Sequence, residues 1–297
     1  MSATPTLPPA SLSVQDRPTA DPIRRRRDRS WLFHAVMTPI SLLWIAPIAF
    51  VIFVSIRSFD DIASNGLGGL PRSFSLEAFR TAWVDGQIGG ALRNSLIVTV
   101  ITVTLSLFLS SLAAFALSRY SIPLRRTILL LMLAGNLLPP QILLIPVSKI
   151  CEALGIYDTF TALIIVQVGF GLGFYTFVLY GFMRGLPNEV FEAARIDGAA
   201  DMRIFATIVL PLCRPSLAAL GALASTWIFN DLIWAMTVLR TQTKFPITAA
   251  LLNLQGGFVS SWNVVAAGAL IAAIPTAIVF FAFQKHFVSG LLVGASK

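Results

Sequence analysis

Residues 187–211 read Pro187-Asn188-Glu189-Val190-Phe191-Glu192-Ala193-Ala194-Arg195-Ile196-Asp197-Gly198, then Ala199-Ala200-Asp201-Met202-Arg203-Ile204-Phe205-Ala206-Thr207-Ile208-Val209-Leu210-Pro211. Pro187 suits the first turn of a helix, where a missing N–H costs nothing, and Glu189 lies near the positive end of the helix dipole. Ala193 and Ala194 are strong helix formers. Gly198 falls where a helix stop wants positive φ. Asp201 is placed to cap a second helix over Met202 to Leu210, with Pro211 at the entry to the next element. The segment therefore predicts two short helices meeting at a glycine corner. The two alanines would let a partner's backbone come close. Phe191 and Ile196 would fill an apolar groove there, and Glu192 would meet an Arg or Lys. By shape alone, an amphipathic helix lying on lipid fits equally well.

The rest of the chain is too apolar to be covered by water. Of its 297 residues, 56% are hydrophobic and 12% charged, and the mean hydropathy is +0.79. Soluble domains carry about 25% charged residues. Disorder is excluded by this hydrophobicity, and a disulfide scaffold by a count of two cysteines. Six stretches are long enough to span a bilayer: 33–56, 94–117, 127–148, 159–182, 213–235 and 263–284. Asp231, near the end of the fifth, is the one charged residue within them. The expected organisation is a basic disordered tail (1–30), a six-helix membrane domain (31–284) with an inner loop at 183–214, and a short tail (285–297).

Charge sets the expected orientation. Arg17, Arg24, Arg25, Arg26, Arg27 and Arg29 precede the first apolar run, and this run is too long and lacks the cleavage site of a secretory signal. With the N-terminus inside, fifteen Lys and Arg fall on the cytoplasmic side and seven outside. Both termini are thus expected in the cytoplasm, against anionic lipid. No aromatic or Gly pattern beside the basic cluster suggests nucleic acid. Cys151 and Cys213 fall on opposite sides and so cannot pair with each other.

Catalysis has little to work with. His34 and His286 lie at membrane edges without metal-ligand spacing, so no metal site is expected. The four lysines follow Ser148, Thr243, Gln284 and Ser296, so no P-loop Gly-Lys pair exists. An ion-coupled carrier would show ionisable groups within its spans or an inverted repeat, and neither is evident. No catalytic residue is assigned, and the expected chain is a conduit driven from elsewhere.

Spacing separates the two readings of the 187–211 segment. Glu192-Ala193-Ala194, Gly198 after three residues, then Ile208, Leu210 and Pro211 after nine more resemble the EAA loop of bacterial ABC-importer permeases at every fixed position. Seven fixed residues at ordinary frequencies arise by chance on the order of once in a hundred thousand such chains. Asn94-Ser95-Leu96, Pro139 with Pro146, the stretch from Trp227 to Trp234, and Phe287-Val288-Ser289-Gly290-Leu291 with Gly294-Ala295-Ser296-Lys297 are similar to the maltose-permease (MalG-like) group. The resemblance covers 31–297. It departs at Phe229, where Trp is usual, at Ala200 for a capping Ser, and at the neutral Ala206 and Thr207.

The resemblance implies an all-α integral membrane protein of the type I ABC importer permease fold in a bacterial cytoplasmic (inner) membrane. Its ATPase-coupling residues would be Phe191, Glu192, Ala193, Ala194, Asp197, Gly198, Ile208, Leu210 and Pro211. Its partners would be a second permease subunit, two ATPase subunits and an extracytoplasmic solute-binding protein. ATP and Mg would be bound by the ATPases, and no cofactor by this chain. A sugar, oligosaccharide or polyol is the expected solute; glycerol phosphate or an opine is the alternative, and a secondary carrier a more distant one. The tail, hinged at Gly290 and Gly294, would reach towards the ATPases. Polar groups for a translocation path are Asn94, Asn136, Gln141, Gln167, Asn230 and Asp231. Amides both donate to and accept from hydroxyls, although each also serves as glue between helices. The resemblance further implies that the partner permease makes most of the sugar contacts.

Overall fold

A computed structural model describes residues 30–254 and 261–295, with side chains described as far as 284. The basic tail and most side chains of the carboxy-terminal motif therefore lie outside the described residues. The chain divides into two units, residues 1–50 and 51–297. In the first, helix α1 (Ser30–Ser55, ending in the second unit) includes Pro39 and Pro47, and every described side chain from Trp31 to Phe50 is exposed. An apolar helix exposed in this way suits lipid or a partner subunit as its surroundings.

The second unit is built from α2 (Phe59–Asn65), α3 (Glu77–Val84), α4 (Ile88–Arg119), α5 (Arg125–Ala134), α6 (Pro140–Ala153), α7 (Phe160–Arg184), α8 (Asn188–Ile196), α9 (Asp201–Ile204), α10 (Leu210–Leu212), α11 (Arg214–Phe229), α12 (Ile233–Val238), α13 (Ile247–Leu254) and α14 (Trp262–Ala295). Among the described residues, the one β-type pairing is an isolated bridge between Arg57 and Phe74. Four helical stretches are long and apolar enough to cross a membrane: Phe33–Ser55, Ile88–Arg119, Phe160–Arg184 and Trp262–Gln284. Two bent pairs bring the count to six, one angled by 99° between Leu137 and Pro140 and one by 73° between Leu212 and Arg214.

Sequence chemistry accounts for the breaks. Leu138 precedes two prolines and takes extended backbone, because the ring of a following proline clashes with a helical residue. Pro140 then opens α6 in its first turn. The third apolar stretch is thus a bent pair, broken at Pro139, while Pro146 is carried inside α6. The fifth differs from expectation at both ends. It is preceded by a π-helical segment, Phe205–Val209, and it ends at Phe229, short of the expected 235. The final helix runs through Gly290 and Gly294 without a break, so the expected glycine hinge is helical backbone.

The α4–α7 pair is the spine of the unit. Thr102, Ser106, Ser110 and Ala114 form a buried stripe of small side chains on α4, spacing that lets membrane helices approach closely. The Ser110 hydroxyl donates to the Leu172 carbonyl of α7 (3.3 Å). Gly173 permits a second close approach, since a Cβ there would lie 2.1 Å from the Met132 carbonyl oxygen of α5. Cys151 and Cys213 are both buried and free, and they belong to different apolar clusters.

At the end of the bundle opposite α8, Asp158 ties two loops together. It holds positive φ (58°) and accepts from the Arg240 and Thr241 amides, the Thr241 hydroxyl and the Lys244 ammonium. Chiefly the Thr241 hydroxyl, then these amides, hold its carboxyl well below the usual range. A depressed carboxyl stabilises the fold fully above the unfolded-chain value, about pH 4. The contribution is lost as pH falls further. Melting followed in detergent should show an acid-side loss of stability that Asp158→Asn flattens; an unchanged acid limb would count against the role of this tie.

Candidate functional site

Two regions collect the polar chemistry of the second unit. The first surrounds α8. Pro187 precedes the helix as its N-cap, so the helix begins one residue later than expected. Gly198 has φ +76°, the left-handed corner that the sequence required. Asp201 does not cap the next helix: Ala200 holds that position without a side-chain bond. The Asp201 carboxylate is already engaged, accepting from the Tyr120 hydroxyl (2.6 Å) and pairing with Arg195 (3.1 Å). Where one helix to Leu210 was expected, α9, the π segment and α10 follow in turn.

Phe191 also departs from expectation. It is buried in this chain's own core and does not point outward. The Arg119 guanidinium carbon lies 3.6 Å from the centre of its ring, a cation–π contact. Arg119 further donates to the Met183 and Leu186 carbonyls and, at 2.8 Å, to Asn188 Oδ1. Those carbonyls lie in the last turn of α7 and just beyond it, where no further turn supplies N–H partners. One side chain thereby joins the C-termini of α4 and α7 to the start of α8. Ala194 faces inward with Phe191, while Glu192, Ala193, Asp197 and above all Ile196 (86% exposed) face outward with Met202. Ile208, Leu210 and Pro211 are half-buried behind them.

The second region is a cavity of about 320 Å³ between α7 and the α11–α12 junction, at the lower end of the range for ligand pockets. Gln167, Phe170, Gly171 and Phe174 line it from one face of α7, as their i, i+3, i+4 and i+7 spacing dictates. Trp227 and Asp231 come from the end of α11, Trp234 from α12, and Asn136 from the α5–α6 break. Phe170 stacks on Trp234 with ring centres 4.5 Å apart. Phe174 lies 5.5 Å from Trp227. Asp231 accepts from the Trp234 and Ala235 amides, which satisfies the first turn of α12, and from Gln167 Nε2 at 3.1 Å.

The predicted path residues thus separate. Asn136, Gln167 and Asp231 share this cavity. Asn94 does not join them: it is buried and its amide donates to the Thr243 and Phe245 carbonyls, locking a loop onto α4. Asn230 is exposed, donating to the Thr226 carbonyl and to Thr276 Oγ1 (3.4 Å). Gln141 is exposed and lines neither this cavity nor its neighbour. The aromatic walls were missed; the signal available was the spacing of Gln167, Phe170 and Phe174. Among the described residues, no cluster of His, Cys, Asp and Glu could hold a metal ion.

A bundle of apolar helices with two broken spans, and an exposed short helix pinned to it at one end, is the architecture of a membrane permease subunit of an ABC importer. The chain belongs to the binding-protein-dependent transport system inner membrane component family, whose profile matches residues 106–293. It is 31% identical to the diacetylchitobiose uptake system permease protein NgcG of Streptomyces coelicolor, over 89% of this chain and 88% of that protein. It is also 31% identical to the arabinooligosaccharides transport system permease protein AraQ of Halalkalibacterium halodurans, over 90% and 96% of the two lengths. A chain from the crystal structure of a bacterial ABC transporter involved in the import of the acidic polysaccharide alginate superposes with a TM-score of 0.75. It is 25% identical and covers 89% of this chain and 98% of that one.

Removing the Arg119 side chain should loosen α8 first. In Arg119→Ala, amide exchange over 188–196 should rise about tenfold or more, since one charged hydrogen bond alone contributes ~1.5–3 kcal/mol. Arg119→Lys should fall between the two, because an ammonium cannot reproduce the guanidinium fork. Unchanged exchange in Arg119→Ala would show that α8 is held by other contacts.

Proposed function

We propose that this permease carries a sugar, oligosaccharide or polyol across the bacterial cytoplasmic membrane, with both termini inside. An extracytoplasmic binding protein delivers the solute, and a second permease subunit completes the path. Two ATPase subunits bind ATP and Mg and do the hydrolysis; this chain transmits their movement. The sugar assignment draws on relatives named for diacetylchitobiose and arabinooligosaccharide uptake and on the cavity lined by amides and aromatic rings.

One observation carries the coupling role: α8 is two-faced. Its inner face, Phe191 and Ala194, is locked to α4 and α7 through Arg119. Its outer face offers Ile196, Ala193 and Glu192 to whatever docks there. A push on that face reaches the spine of the bundle through a guanidinium and an aromatic ring, with no flexible linker between. The π segment and α10 then lead into α11, whose far end borders the cavity. ATP-driven closure of the ATPase pair would be felt at α8 and relayed to the solute path along two helices, α7 and α11.

Glu192→Ala and Gly198→Pro should insert normally and keep ATP hydrolysis in the assembled importer while lowering solute uptake at least tenfold. Proline fixes φ near −65°, which the left-handed corner excludes. An Ile196→Cys variant should crosslink to a cysteine introduced in the ATPase groove. Normal uptake in both coupling variants would refute the coupling role. Failure of ATP to drive any uptake in the wild-type complex would refute the importer reading itself.

A further inference from the structure

The cavity beside Asp231 has a pronounced polarity of its own. Its lining includes one carboxyl, two amides and five aromatic rings, and neither Lys nor Arg is among those residues. The amide donors are partly spent. Gln167 Nε2 is used by Asp231, and Asn136 Nδ2 lies 3.4 Å from the Met132 carbonyl. What is left over is acceptor. Gln167 Oε1 has no hydrogen-bond partner although the residue is only 8% exposed. A buried polar atom left unpaired is costly, and it marks a place where a donor belongs.

A ligand suited to these walls brings donors and no negative charge. An anion would meet a carboxyl and find no cation, and attraction or repulsion between charges is strongest where water is scarce. Hydroxyl groups satisfy every condition, because each donates to an acceptor and carries no charge. The aromatic walls supply the rest. Trp227 is 53% exposed, with Phe174 against it, and flat rings of this kind match the apolar face of a sugar ring.

We propose that this cavity is a sugar subsite within this permease itself, built for a neutral pyranose ring and set against uronates and sugar phosphates. Gln167 Oε1 and Asp231 accept from its hydroxyls, and Trp227 packs on its face. The inference rests on the reading of the chain as a sugar-importer permease and narrows the solute class: it removes glycerol phosphate, and it separates this permease from a carrier of acidic polysaccharide. Contacts to sugar are thereby placed in this subunit as well as in its partner.

The test uses the assembled importer without its binding protein, so that the binder's own selectivity does not enter. Methyl β-D-glucopyranoside, glucuronate and glycerol 3-phosphate are each titrated while tryptophan fluorescence is followed. The glucoside should quench saturably, and both anions should bind at least tenfold more weakly. Trp227→Ala, at an exposed position, should abolish the signal. Asp231→Asn, which keeps an acceptor at the start of α12, should narrow the glucoside-to-glucuronate ratio about tenfold. Equal binding of glucuronate by the wild-type complex, an unchanged ratio in Asp231→Asn, or no saturable binding of any sugar would each overturn the subsite. ATP-dependent uptake with the binding protein restored reports separately on the importer reading: uptake without cavity binding sinks only the subsite, and cavity binding without ATP-driven uptake sinks only the importer.

Discussion

The Arg119 guanidinium is the junction on which the α8 end of this molecule depends. Three helices end or begin within its reach, and each leaves backbone groups without intrahelical partners. A side chain with five donors in a fixed plane can serve several of these at once while its face covers an aromatic ring. The Met183 and Leu186 carbonyls, Asn188 and Phe191 are all satisfied in this way. Its charge also lies in the last turn of α4, where the helix dipole favours a cation. The pair of Arg195 with Asp201, and the Tyr120 hydroxyl on the same carboxylate, brace the corner from its other side.

The helical membrane class and the six apolar stretches were legible because composition and run length report directly on a lipid solvent. The glycine corner was legible for an equally simple reason: Gly198 takes φ +76°, which other residues adopt only at a cost. The break at Leu138 followed from two adjacent prolines. What could not be read were choices among competing partners. Asp201 looked like a cap because Asp caps helices, yet Tyr120, 81 residues away, holds its carboxylate. Phe191 looked like an outward anchor, but the ring faces Arg119, 72 residues earlier in the chain. Hydropathy gives no information on such long-range competition.

The polar residues in the spans illustrate the same limit. Six amides and acids looked equivalent in sequence. The fold makes Asn94 a lock for the Thr243–Phe245 loop and brings Asn136, Gln167 and Asp231 together from three separate regions. Only one of these placements has a local signature, the shared face of Gln167, Phe170 and Phe174 on α7. Asp231 is positioned by the helix it helps to start, and Asn136 by the proline break beside it. The chain thus uses its helix ends and interruptions, where backbone groups already need attention, as the sites of its polar chemistry.

The π segment Phe205–Val209 sets the phase between the α8 corner and the cavity. A wide turn accommodates one residue more than an α-helix would, and each residue of an α-helix turns it by about 100°. Loss of a single residue from this segment would therefore rotate Ile208, Leu210 and Pro211 about the helix axis relative to the corner that precedes them. Their burial could not survive that rotation. The fixed interval from Gly198 to Ile208 is in this sense an angular dimension, and natural variants of the loop should tolerate exchange of its side chains far more readily than a change in its length.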